Sequence, residues 1–191
     1  MNTPDVRQVT DSRVLAAMAH PLRRRLMDVL KVHGPSTVGL LAERTDQAPA
    51  NVSHHLKVLA AADLVTEAPE LARDRRERWW RLVTRGVAWS SRDFDADPAA
   101  RAVADAATSL NLDRHVALAR AWHAADESAQ ATWADAAFSN DRWLHLTPDE
   151  LAELGREVTD LLARWGERGV PDDGGERQPV FVFVHGVPAR P

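Results

Sequence analysis

Apolar residues recur at helical spacing in several blocks of this chain and alternate as in strands over only a few short runs. After a frayed start over residues 1–9, Val14, Leu15 and Met18 mark a short helix that Asp11 or Ser12 is placed to cap. His20-Pro21 restarts the chain as a second helix with Leu22, Leu26, Val29 and Leu30 inward, proline suiting a first helical position. Gly34-Pro35 ends it. Two more helices follow between Thr37 and Val65, separated by a tight break near Thr45–Ala48. Val38, Leu41 and Ala42 set the first, which Thr37 caps, and Val52, His55, Leu56 and Leu59 form the inward stripe of the second. Leu64–Glu67 and Arg78–Val83 read as two short strands joined by the loop Ala68–Glu77.

The second helix of the close pair, about 49–61, carries Ala50, Asn51, Ser53, His54 and Lys57 opposite its apolar stripe. Small residues, hydrogen-bonding groups and a cation on one face suit the major groove, where base edges and phosphates both need donors. The pair reads as a helix-turn-helix with its recognition helix second. With the strands and the loop it makes a winged helix. His55 lies on the apolar stripe and reads as a hydrogen-bonded core histidine. The candidate DNA contacts are Thr37, Ala50, Asn51, Ser53, His54 and Lys57, together with Arg73, Arg75 and Arg76 of a basic wing over about 68–77. Glu70, Asp74 and Glu77, interleaved there, allow a solvated charged loop instead. Trp79, Trp80 and Trp89 read as strand and core packing. Arg23, Arg24, Arg25 and Lys31 cannot share one helical face, so at most two reach phosphates.

The run from His20 to Leu30, then Gly34-Pro35, Val52–Leu59 and Ala62–Val65, resembles the ArsR (arsenical-resistance repressor) family of bacterial regulators over roughly residues 10–90. The resemblance implies a homodimeric winged-helix transcription factor, in the repressor sense, on a near-palindromic duplex. This chain departs from the family pattern where Ala48-Pro49 replaces the usual hydroxyl cap of the recognition helix, and where the wing is longer and lacks a glycine tip.

Composition adds a division. Residues 1–92 hold 15 Lys and Arg against 10 Asp and Glu, a net of +5, whereas residues 93–191 hold 9 against 18, a net of −9. The basic half fits a polyanion and the acidic half a different module. Asp93–Pro98 is read as the boundary between a winged helix-turn-helix domain, 10–92, and a C-terminal dimerisation or effector-binding domain, 98–191. The expected fold class is α+β and mostly helical, with a small helical or α/β second domain. In that domain Pro98–Leu110 and Leu112–Ala125 read as helices, Ser128–Phe138 as a further turn or helix, and Trp143–Leu146 as a strand. Thr147-Pro-Asp-Glu150 is a capping box opening a helix with Leu151, Leu154, Val158, Leu161, Leu162 and Trp165 on a seam, ended by Gly166 or Gly169. Pro179–His185, apolar on both faces, reads as a buried strand. The region also resembles extended C-terminal regions of some ArsR-type regulators.

The candidate chemistry is mostly exclusion. The chain has no cysteine, which removes disulfides and thiolate metal sites. No run of about 18 apolar residues spans a membrane and the start lacks a signal-peptide core, so a cytoplasmic protein is expected. No phosphate loop or nucleophile elbow appears, and His54-His55 point about 100° apart on a helix, so no enzyme and no cofactor is expected. Asp113, His115, His123 and Asp126 offer an alternative metal-responsive repressor, at a spacing shorter than the family's metal pattern. Trp122, Trp133, Phe138, Trp143 and Trp165 offer walls for a small-molecule effector. A winged helix that binds protein is the remaining alternative, disfavoured by the polar outward face of the recognition helix.

Overall fold

The computed structural model describes residues 6–74 and 77–190, and the chain divides into two compact units, Met1–Arg114 and His115–Pro191. The first unit begins with β1 (Val6–Gln8), α1 (Ser12–Met18) and α2 (Pro21–His33). It continues through β2 (Ser36–Thr37), α3 (Val38–Thr45) and α4 (Pro49–Ala61) to the strands β3 (Val65–Glu67), β4 (Trp79–Leu82) and β5 (Gly86–Ala88). The long helix α5 (Pro98–His123) runs from the first unit into the second, which adds α6 (Glu127–Ala131) and α7 (Pro148–Glu167).

Local chemistry sets these boundaries. The Asp11 carboxylate accepts from the Arg13 amide at the start of α1. The ring Nδ1 of His20 does the same for the Leu22 amide at the start of α2, with Pro21 in the first turn. Gly34 takes φ 72°, in the left-handed region, and its N–H reaches back to the Leu30 carbonyl. Thr37 Oγ1 accepts from the Leu40 amide, and α3 ends on Asp46 at φ 53°, whose N–H donates to Glu43 O while the Gln47 N–H donates to Ala42 O. Aspartate is one of the few residues with a side chain that visits that conformation readily, which is how the tight break forms without glycine.

Leu15, Leu26, Leu41, Val52, Leu56 and Leu59, all fully buried, make the centre of the core, and Val9, Met18, Leu64, Val65 and Trp80 close it. Burying each large aliphatic side chain is worth roughly 1.5–3 kcal/mol. β4 is the middle strand of an antiparallel sheet in the order β2-β4-β3, with Ser36 opposite Trp80 and Val65 opposite Leu82. A separate parallel pair joins β1 to β5.

Several expectations change here. Residues 6–8 are not frayed: they pair with β5, and Val9 behind them is buried and donates to Ala88 O. Asp93–Pro98 is no free linker, because a Ser90–Asp93 capping box starts a short turn that buries Phe94, and Ala104 and Ala107 of α5 enter the same core. Half-buried Arg114, further along α5, holds Asp28 of α2 in a close ion pair. The two helices expected over 98–125 are one, α5, since no proline or glycine interrupts Leu110–Leu112.

In the second unit the capping box at α7 forms reciprocally, Thr147 Oγ1 accepting from the Glu150 amide while the Glu150 carboxylate accepts from the Thr147 amide. Neither Trp143–Leu146 nor Pro179–His185 is a strand, for neither pairs with a neighbouring strand among the described residues. In the C-terminal segment Phe181, Phe183 and His185 gather on the His115 ring, with centroids 5.3, 5.3 and 5.7 Å away, yet Phe181 and His185 are exposed like Val180, Val182 and Val184, and only Phe183 is half-buried. The expected burial on both faces is therefore not met. Among the described residues no helix is long and apolar enough to cross a membrane.

Candidate nucleic-acid interface

α4 spans Pro49–Ala61, the range the sequence predicts for the recognition helix. Val52, His55, Leu56 and Leu59 are buried, so the opposite side is fixed outward. At about 100° per residue, Ala50, His54, Lys57 and Ala61 share the centre of that side. All four are exposed. Asn51 stands on one flank, exposed, and Ser53 on the other, half-buried. Ala50 keeps the approach open, while His54 and Lys57 project a ring with hydrogen-bonding nitrogens and a point charge.

The start of α4 has no side-chain cap, Ala48 having nothing to offer and Pro49 having no N–H. Gln47, which sequence reasoning passed over, works here: its side-chain oxygen accepts from Asn51 Nδ2 at 3.0 Å, and its own Nε2 donates to Asp46 O. The i, i+4 spacing of Gln47 and Asn51 was the available signal. The amide pair holds Asn51 toward the turn, so its amide is steered before any ligand arrives. Thr37, a candidate contact, is half-buried in β2 and its hydroxyl caps α3.

Beneath α4 lies His55, 8% exposed, with its ring centroid 4.4 Å from His20 and 5.3 Å from His54. It is a core residue as expected, but its Nδ1 has no hydrogen-bond partner among the described residues, contrary to expectation. Burial, then the neighbouring His20, Arg23 and His54, lowers its pKa from the usual histidine value, which keeps the ring neutral. Two of the three arginines of α2 are spent on structure. Arg23 donates to the carbonyls of Ala16 and Ala17 that end α1, and Arg25 donates to Arg44 O at the end of α3. Both occupy helix C-termini, where a cation is favoured.

The wing connects β3 to β4, and its ladder continues through the Ala68 N–H to Trp79 O bond. A single 3-10 turn, Pro69–Leu71, follows. The interleaved acids tie this loop down. Glu77 accepts from the Arg73 amide and from Trp79 Nε1, Asp74 accepts from the Glu77 amide, and Glu67 and Glu70 pair with Arg78 and Arg81. Arg73 is exposed; Arg75 and Arg76 lie outside the described residues. The tryptophans serve packing: Trp80 is buried, Trp79 binds Glu77, and Trp89 Nε1 donates to Thr108.

The alternatives find less. Among the described residues no three His, Asp or Glu side chains come together as a metal site, so Asp113, His115, His123 and Asp126 do not form the ligand set that their spacing allowed. His115 is instead surrounded by Phe181, Phe183 and His185. Of the aromatic residues expected to wall an effector pocket, Phe138, Trp143 and Trp165 are 74%, 64% and 63% exposed, and Trp122 and Trp133 are half-buried.

Residues 18–68 match a helix-turn-helix domain model. The transcriptional repressor SdpR of Bacillus subtilis is 34% identical over 56 residues, which are 29% of this chain and 61% of the repressor, so the chain spans about three-fifths of that relative's length. A solved structure described as a possible transcriptional regulator for arsenical resistance is 33% identical, covering 55% of this chain and 93% of its own, with a TM-score of 0.33. The homodimeric winged helix-turn-helix DNA-binding domain of a possible ArsR-family regulator from Mycobacterium bovis is 22% identical, covering 58% and 81%, with a TM-score of 0.35. Over residues 18–68 this chain is therefore similar to helix-turn-helix transcriptional regulators.

Proposed function

We propose that this chain is a sequence-selective, DNA-binding transcriptional regulator that acts as a homodimer and represses. The observation that carries the reading is α4: four buried side chains fix a helix whose outward side is Ala50, His54 and Lys57 flanked by Asn51 and Ser53. Polar groups of this kind on a helix beside a wing are what base edges and phosphates require. Lys57 and Arg73, with Arg75 and Arg76, supply the phosphate contacts, and Asn51, Ser53 and His54 read bases. Two such helices in a two-fold dimer enter successive major grooves about one helical turn apart, on a near-palindrome. Repression follows the named role of the Bacillus relative. The second unit supplies self-association.

The test is binding of the purified chain to the DNA upstream of its own gene against random duplex, at two salt concentrations. Selective binding that weakens with salt is expected. Absence of selectivity at both salts would sink the reading in favour of a winged helix whose partner is a protein.

A further inference from the structure

The helix α7 segregates its residues sharply, yet buries none of them. Leu151, Leu154, Val158, Leu161, Leu162 and Trp165 fall within an arc of about 100° along a helix about 30 Å long. Leu161, Leu162 and Trp165 are 45%, 38% and 63% exposed. Leu154, Val158 and Leu161, with Glu157, Asp160 and Arg164, line an open groove of about 390 Å³. Leu151, Leu154 and Val158 are half-buried, Leu151 beside Gly186 of the C-terminal segment, and an apolar stripe this long that stays open to solvent is a surface for a partner.

Two features of the stripe identify the partner. First, it reads nearly the same from either end: reversal about Val158 lays Leu154 on Leu162 and Leu151 on Trp165. Second, one flank carries Glu150, Glu157, Arg164 and Arg168 in that order, two acids and then two bases, whereas the other carries Ala152, Gly155, Thr159 and Gly166. In an antiparallel pair each flank faces its own copy, so Glu150 of one helix falls level with Arg164 and Arg168 of the other, while the two Glu157 side chains come side by side next to the axis. A parallel pair would instead bring like halves level. The small flank lets the backbones approach. The Glu150 carboxylate, accepting from the Thr147 amide and hydroxyl, stays ionised, and Arg168 is held over the Trp165 ring at 5.1 Å.

We infer that the α7 stripe docks on the same stripe of a second copy of this chain, antiparallel, with the two-fold axis near Val158. This deepens the homodimer of the proposed function and rests on it for self-association, not for DNA binding. A closed two-fold contact of this kind uses one patch twice and leaves no apolar end to propagate.

The chain has no cysteine, so single introduced thiols report the geometry without background. In the full-length protein, Val158→Cys should cross-link to itself on oxidation. Leu151→Cys mixed with Trp165→Cys should give a mixed cross-link, while Leu151→Cys alone gives none, its two copies being about 20 Å apart and far beyond disulfide reach. Self-cross-linking of Leu151→Cys would overturn the antiparallel arrangement, and monomers throughout would overturn the interface. By sedimentation, Arg164→Glu with Arg168→Glu should weaken self-association at least tenfold. Mixing that variant with Glu150→Lys, Glu157→Lys chains should restore it as a heterodimer; failure to restore would also overturn the pairing. If cross-linking fails while the chain still binds DNA selectively as a dimer, only this inference falls. Cross-linking intact without DNA selectivity removes the proposed function and leaves the interface.

Discussion

At the scale of single residues, the division of labour on α4 makes distinct expectations. His54→Ala or Asn51→Ala should cost about 1–3 kcal/mol on the selected duplex and less on random sequence. Equal losses on both would refute base reading by that residue. Asn51 carries an added consequence, since its amide is held by Gln47. His55 bears on stability. Its pKa is lowered by burial first, so the folded state resists the proton that the unfolded chain accepts. Above the usual histidine value, about 6.5, both states are neutral and the contribution is complete. Stability should therefore fall as pH drops below about 6.5. Urea midpoints at pH 7.5 and 5.5 should differ more for the native chain than for His55→Leu, and an equal difference would dismiss the role.

At the scale of elements, the recognition helix is the least well started of the first unit's helices. α1, α2 and α3 each receive a side-chain hydrogen bond at their N-terminus, from Asp11, His20 and Thr37, whereas α4 receives none. Ala48→Ser should supply the cap and stabilise the domain by about 1 kcal/mol, read as a raised urea midpoint. No change would mean that the hydroxyl cannot reach the first-turn amides. The helices here were legible because caps and breakers are local: Asp11, Pro21, Gly34, Thr37, Pro49 and the Thr147–Glu150 box each act within a few residues. Strands were less so. β1 and β5 are three residues each and exist through each other, and β2 is two residues drawn in by β4. Conversely, Pro179–His185 has strand composition and no strand to pair with among the described residues.

At the scale of the whole molecule, the charge division remains the guide. The first 92 residues carry a net of +5 and the rest −9, so the phosphate contacts proposed above are expected from those first 92 residues. Neutralising Lys57 and Arg73 should weaken selected and random duplex alike and reduce the salt slope by about one for each phosphate that no longer meets a cation. A slope unchanged by both substitutions would show that neither reaches a phosphate.

Local sequence pattern was enough for the paired helices, the bounds of α4, its inward stripe and its polar side. Those depend on period, capping and composition, which are properties of neighbouring residues. Long-range packing, by contrast, makes the N-terminal segment a strand, draws Asp93–Pro98 into the first unit through Phe94, and sets Arg23 and Arg25 on helix ends. It also gathers Phe181, Phe183 and His185 on His115. Each of these rests on residues distant in sequence meeting in space, and no local pattern specifies which distant partner a side chain will find.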